Sequence, residues 1–222
     1  MPGRLITIGD IHGCLDALVG LLQAIDPQPE DRIVTLGDYI DRGPDSRRVL
    51  EQLIALATRC RLIPLLGNHD EMLLEIRGGR KWLYNDWVSF GGGATLASYG
   101  SPLVEQIPQE HVDFLENCRS LYETDRDFFV HASYLPNEPL DEQPAPIMHW
   151  QSIRGNPPGP HLSGKRAIVG HTSQKEGEIL DLGHLVCIDT FCYGGKWLTA
   201  LDVQSGQVWQ VDPNGRMRND ER

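Results

Sequence analysis

Cysteine is scarce and unpaired in this chain. Its five residues (Cys14, Cys60, Cys118, Cys187 and Cys192) are an odd, scattered set with no Cys-x-x-Cys spacing. That excludes a disulfide framework or a zinc finger and points to reduced thiols, as in a cytoplasm. No cysteine is followed six positions later by arginine, so the cysteine-nucleophile route to phosphate esters is absent. Basic residues are outnumbered, 20 Lys and Arg against 31 Asp and Glu, and form no block. A formal charge of −11 opposes binding to nucleic acid or to an anionic membrane surface. Long apolar runs are also missing. The longest are strand or helix faces, far short of a membrane span, and Met1-Pro2-Gly3-Arg4 leads into the first strand without a signal-type apolar segment. A cytoplasmic protein is expected, with one domain over residues 1–222 and a polar, flexible tail from 212.

What the chain does have is three short acidic motifs at nearly even intervals. They are Gly9-Asp10-Ile11-His12-Gly13, Gly37-Asp38-Tyr39-Ile40-Asp41-Arg42-Gly43 and Gly67-Asn68-His69-Asp70. Each follows an apolar run (Leu5–Ile8, Ile33–Leu36, Leu62–Leu66) that predicts a buried strand. Between them, Leu15, Leu18, Val19, Leu22 and Ile25 recur at helical spacing, with Pro27 and Pro29 closing the helix. Ser46 is placed to cap a second helix carrying Val49, Leu50, Leu53, Ile54 and Leu56. This alternation predicts βαβ units, parallel strands and an open α/β sheet, with the motifs at the carboxyl edge where such sheets bind ligands.

Downstream, a short helix is expected over 71–76, and Phe90-Gly91-Gly92-Gly93 as a tight turn into a helix ending near Gly100. A helix at 109–118 and strands at 121–123 and 127–131 follow. Residues 132–164, rich in Pro and Gly, form a long connection over or beside the site. Strands at 167–169, 178–182, 185–189, 197–203 and 207–211 complete the chain, with Ser205-Gly206 as a hairpin turn. His131 and His171 each end an apolar strand, as the motifs do, and are expected to reach the same site.

The chemistry follows from the residue types. A carboxylate between two cations offsets their repulsion, and Asp38 is the natural bridge. Asp10 and His12 can chelate one ion; Asn68, His131 and His171 can complete the other. Mixed oxygen and imidazole donors suit Mn²⁺, or Fe and Zn²⁺, better than Mg²⁺ or Ca²⁺. A hydroxide held between two such ions attacks phosphorus in line. Arg42 supplies a fork for phosphate oxygens. His69, held cationic by Asp41, can protonate the leaving group. Arg154 is either a second substrate contact or a surface arginine. Asp189-Thr190 is equally a support to the metals or a cap. His111 and His161 are expected to be solvated; His149 and His184 are expected to be structural.

These residues resemble the metal-dependent phosphoprotein phosphatases of the calcineurin-like metallophosphoesterase class, in their compact bacterial and phage-type form. The matching pattern is Asp10/His12, Asp38/Asp41/Arg42, Asn68/His69/Asp70, His131 and His171, in order over residues 9–172. The resemblance implies an α/β fold of four layers, two mixed β-sheets packed as a sandwich and flanked by helices. It also implies a pair of metals with a bridging hydroxide. Two positions depart from the pattern: Leu66 stands where many members have Arg, and Asp70 where protein phosphatases usually have Glu. Both are features of the related symmetrical diadenosine tetraphosphatases, whereas His12 and Asp41 favour phosphomonoesters.

The first expectation is therefore a serine/threonine protein phosphatase, with tyrosine also within reach, acting on phosphorylated proteins, peptides or small phosphate esters. The alternative is a hydrolase of diadenosine tetraphosphate or other nucleoside polyphosphates. A metal-binding signalling module without activity is the non-enzymatic reading.

Overall fold

The computed structural model describes residues 3–218. Three of the early elements are strands for the expected reason, β-branched and apolar runs, which are buried on both faces in β1 and β2 and only at Ile63 in β3. They are β1 (Leu5–Ile8), β2 (Arg32–Thr35) and β3 (Arg61–Pro64), and they pair in parallel. Between them run α1 (Leu15–Ile25) and α2 (Ser46–Ala57), and α3 (Asn68–Arg77) follows β3. The α1 helix turns Leu15, Leu18, Leu21, Leu22 and Ile25 inward at 3–4-residue spacing. It ends on a left-handed Asp26, whose backbone N–H returns to the Leu22 carbonyl, before either proline is reached.

Two details differ from expectation. The α2 cap is Asp45, which accepts from the Arg48 N–H; Ser46 instead accepts from the Asp41 N–H at 3.0 Å. The third motif does not precede its helix but forms its first turn, because Gly67 serves as N-cap and Asp70 reaches back to the Gly67 N–H at 3.1 Å.

A helical segment follows, with α4 (Tyr84–Trp87), a wider turn over 88–92 and α5 (Gly93–Tyr99), which ends on a left-handed Gly100. Then come α6 (Gln109–Glu116), β4 (Leu121–Glu123), β5 (Asp127–Val130), α7 (Ala145–Trp150) and β6 (Arg166–Val169). The chain finishes with β7 (Leu180–Asp181), β8 (Leu185–Cys187), β9 (Leu198–Asp202) and β10 (Val208–Val211). Residues 212–218 turn back, and the Arg218 N–H reaches the Gln210 carbonyl; residues 219–222 lie outside the described part.

The strands form two mixed sheets of five, ordered β10-β9-β1-β2-β3 and β4-β5-β6-β8-β7. Alternation builds the layers. Leu5, Val34 and Ile63 of one sheet meet Phe129, Ile168 and Val186 of the other in the central core. Ile6, Ile8 and Ile33 face the helices, while Phe128, Val130, Ala167 and Val169 pack outward under Tyr134 and Met148. The expected four-layer sandwich is therefore present. Among the described residues no helix is long and apolar enough to cross a membrane. All five cysteines are free.

Candidate metal centre

The loops after β1, β2, β3, β5 and β6 converge at the carboxyl edge of the sandwich. Asp38 stands in the middle. Its carboxylate accepts the backbone N–H of His69 at 3.0 Å, at the start of α3, where the helix dipole favours an anion. A Cβ on Gly67 would lie 2.1 Å from Asp38 Oδ1, so only glycine allows this approach. One Asp38 oxygen lies 3.4 Å from His12 Nε2 and the other 3.6 Å from His131 Nε2. Two groups of donors result, His12 with Asp38 and His69, and Asp38 with His131 and His171, each within 4.8 Å. Asp38 is common to both, as the bridging role requires.

The ring orientations show what the groups lack. His12 Nδ1 donates to the Ile40 carbonyl at 3.0 Å, and His131 Nδ1 to the Leu36 carbonyl at 2.7 Å. Burial lowers His12 well below the usual imidazole range and His131 to about 4; it lowers His171 as well. The neutral His131 and His171 rings then each turn a lone pair inward. His131 Nε2 faces Asn68 Oδ1 at 3.1 Å, and His171 Nδ1 faces the same oxygen at 2.9 Å. Acceptors therefore crowd together with too few protons, which is the arrangement a cation completes.

The carboxylates repeat the point. Asp10 takes the His171 backbone N–H on both oxygens, at 2.9 and 3.1 Å. Burial raises its pKa well above the ordinary carboxylate range, and Asp189 and Asp38 raise it further. Burial also lifts Asp189 to about 6. The donor set fits a divalent pair: two carboxylates, an amide oxygen and inward-facing imidazoles.

Around the centre, His69 Nδ1 lies 2.7 Å from Asp41 Oδ2, as expected for a held imidazole. Asp41 is fully buried, and burial raises its pKa. It accepts from Trp87 Nε1 at 2.8 Å and from Thr95 Oγ1 at 2.6 Å. Arg42 Nη1 donates to His12 Nε2 at 2.7 Å, and its guanidinium lies 4.4 Å over the Tyr193 ring. Tyr193 in turn packs edge-on to His12 at 4.8 Å. Trp87, Thr95 and Tyr193 carry no motif in the sequence, and only Tyr193, just after the strand-end pair Asp189-Thr190, had a local signal.

Arg154 is not among the metal donors; it reaches the rim, where Nη2 donates to the Ser173 carbonyl at 2.8 Å. Asp70 is a structural fastener, accepting the Tyr39 and Gly67 N–H groups. Asp189 accepts from Ser173 Oγ at 2.7 Å and from the Phe191 N–H. His111 and His161, expected in solvent, are buried. The Tyr99 hydroxyl satisfies His111 at 2.6 Å, and Ser163 with the Glu138 carbonyl satisfies His161.

The backbone is bent to this purpose. Seven described non-glycine residues have positive φ, and five of them are His12, Asp38, Asp41, Arg42 and His171. Left-handed backbone at non-glycine residues costs roughly 1–3 kcal/mol each and concentrates at functional sites.

The calcineurin-like phosphoesterase family model matches residues 3–175, which hold every donor described above. The chain belongs to the calcineurin-like phosphoesterase family. Among curated relatives it is 46% identical over 141 residues to a symmetrical bis(5′-nucleosyl)-tetraphosphatase of Acidovorax sp. (strain JS42), covering 62% of this chain and 47% of that protein. A protein of the same name from Janthinobacterium sp. (strain Marseille) is 37% identical over 131 residues, 58% of this chain and 43% of that one. The match thus spans about half the length of these relatives. A crystal structure provisionally assigned as a diadenosine tetraphosphatase superposes with TM-score 0.72 over 95% of this chain and 94% of that one, at 24% identity, a likeness of fold. These relatives overturn the expectation of a serine/threonine protein phosphatase acting on phosphorylated proteins. Leu66 and Asp70, the two departures from the protein-phosphatase pattern, agree with these relatives.

Proposed function

We propose that the chain hydrolyses dinucleoside polyphosphates, those with four phosphates first, by symmetrical cleavage to two nucleoside diphosphates. The observation that carries the substrate class is the similarity to the two bacterial tetraphosphatases. Asp10 and His12 would hold one divalent ion, Asn68, His131 and His171 the other, and Asp38 both. Mn²⁺ is the first choice, with Fe or Zn²⁺ next, since nitrogen and oxygen donors are mixed. When bound, such a pair supplies Lewis acidity toward phosphate oxygens and an acidified water.

The remaining residues handle the phosphate and the proton. Arg42, permanently charged, keeps N–H donors beyond its bond to His12 for a phosphate oxygen. His69, oriented by Asp41, is the proton donor. The water oxygen bonds to one inner phosphorus, the bond from that phosphorus to the central bridging oxygen breaks, and the His69 proton goes to that oxygen. A departing diphosphate is a weaker base than an alkoxide, so this proton matters less than it would for a phosphoserine.

The test is a product analysis. Manganese-loaded protein given diadenosine tetraphosphate should release ADP as the nucleotide product, and a chelator should stop it. Release of AMP with ATP, or no product under manganese, iron or zinc, would overturn the proposal.

A further inference from the structure

Among the described residues three aromatic side chains are strongly exposed: Trp82, Phe90 and Trp150. Trp82 belongs to a separate groove with Leu103. The other two lie in segments tied to the centre, Phe90 next to the Gly91 that touches Arg42 and Trp150 bonded to Glu71 of α3.

On the His12 side, the Arg42 backbone N–H donates to the Gly91 carbonyl at 3.1 Å. A Cβ on Gly91, where φ is +120°, would meet Arg42 Cγ and N at 2.8 Å. Phe90 is therefore pinned at the rim beside Arg42 by its neighbour, with 54% of its surface exposed. On the His171 side, the Ile153 N–H donates to Thr172 Oγ1 at 3.0 Å, which ties the residues just after α7 to the His171 loop. The Trp150 indole N–H donates to Glu71 Oε2 at 2.5 Å, which fixes the ring by its edge while 41% of the residue stays exposed. Arg154, four residues on, spends Nη2 on Ser173 and keeps other donors. Each flank thus pairs an exposed aromatic with an arginine.

An aromatic face held open to water is a stacking platform for any base, and an adjacent guanidinium suits a phosphate. A dinucleoside polyphosphate has this same order along its length: base, phosphates, phosphates, base. Resting on the substrate class proposed above, we propose that Phe90 and Trp150 stack the two nucleobases of one substrate lying across the metal centre. Arg42 and Arg154 then each take phosphate oxygens of one half.

Calorimetric titration of the manganese-loaded chain with ADP, and with pyrophosphate as the base-free control, tests this directly. Two ADP per chain are expected, each bound more tightly than pyrophosphate. Phe90→Ala or Trp150→Ala should weaken one of the two ADP sites about tenfold, with Phe90→Tyr and Trp150→Phe recovering most of the loss. In turnover, either alanine variant should lower by about tenfold the ratio of kcat/KM for diadenosine tetraphosphate over inorganic tetraphosphate. Equal losses of ADP and pyrophosphate affinity, no loss of either, or ADP binding no tighter than pyrophosphate would overturn it. If the wild type fails to cleave the dinucleotide, the reaction proposed above falls and ADP binding still decides the platforms. If it cleaves the dinucleotide and the variants keep its selectivity, only the platforms fall.

Discussion

The two ends of the sandwich carry similar residues in opposite states. At the amino ends of the strands lies a cavity of about 860 Å³, lined by Arg32, Arg126, Arg166, Asp125 and Asp127 among others. Several charges there have partners: Arg166 donates to Asp127 and the Val203 carbonyl, and Lys165 to Glu123 and the Thr124 carbonyl. Nearby, Arg4 grips Asp31 and the carbonyls of Ile25 and Asp26. At the carboxyl ends, lone pairs face lone pairs, carboxylates raise one another, and the backbone is left-handed at five side-chain-bearing residues. The cavity lies at the first end, yet the uncompensated chemistry is at the second. Unpaired acceptors and strained backbone locate reactivity better than empty space does.

Substitutions at the two ends should separate these states. Asp38→Asn should have the largest effect: loss of one or both metals, read by elemental analysis, and a fall in kcat/KM of about 10³-fold or more, since the shared ligand supports several kcal/mol of transition-state stabilisation. His69→Asn should lower kcat by about 10²-fold with metal content intact; loss of metal would make His69 a ligand instead. Trp87→Phe removes one donor to Asp41 and should cost about tenfold in kcat, the effect of a missing outer support. At the other end, Arg4→Ala should leave kcat and metal content unchanged. It should lower unfolding stability by about 1–2 kcal/mol in a denaturant titration, through lost hydrogen bonds. A matching loss of turnover in Arg4→Ala would mean the two ends are coupled, and the contrast would fail.

How much of this was legible in the chain depends on distance along it. The β1, β2 and β3 strands and the residues Asp10, His12, Asp38 and Asn68 are written in short strand–loop–helix segments, so periodicity and motif suffice. His131 and His171 were found because each simply ends an apolar strand. By contrast, Asp41 is satisfied by Trp87 and Thr95, 46 and 54 residues away, and no local pattern announces such a bond. The burial of His111 and His161 has no local signature because it rests on Tyr99 and the Glu138 carbonyl, partners that polar surroundings conceal. Ser46 has the composition of a cap but is drawn to Asp41, which Asp45 leaves it free to serve. Substrate is the least legible property, because the metal motifs describe only the phosphorus under attack.

One feature of the topology bears on synthesis. Every proposed metal donor lies at or before His171, yet β1 gains its second neighbour only when β9 arrives, pairing Ile6 with Asp202 and Ile8 with Ala200. During translation, at about 5–20 residues per second, the edge of β1 beside Asp10 stays bare for about 2–6 seconds after the other donors have emerged. The centre therefore matures under an open strand edge, and closure of that edge by the C-terminal hairpin is the step that shields a nascent chain from pairing with its neighbours.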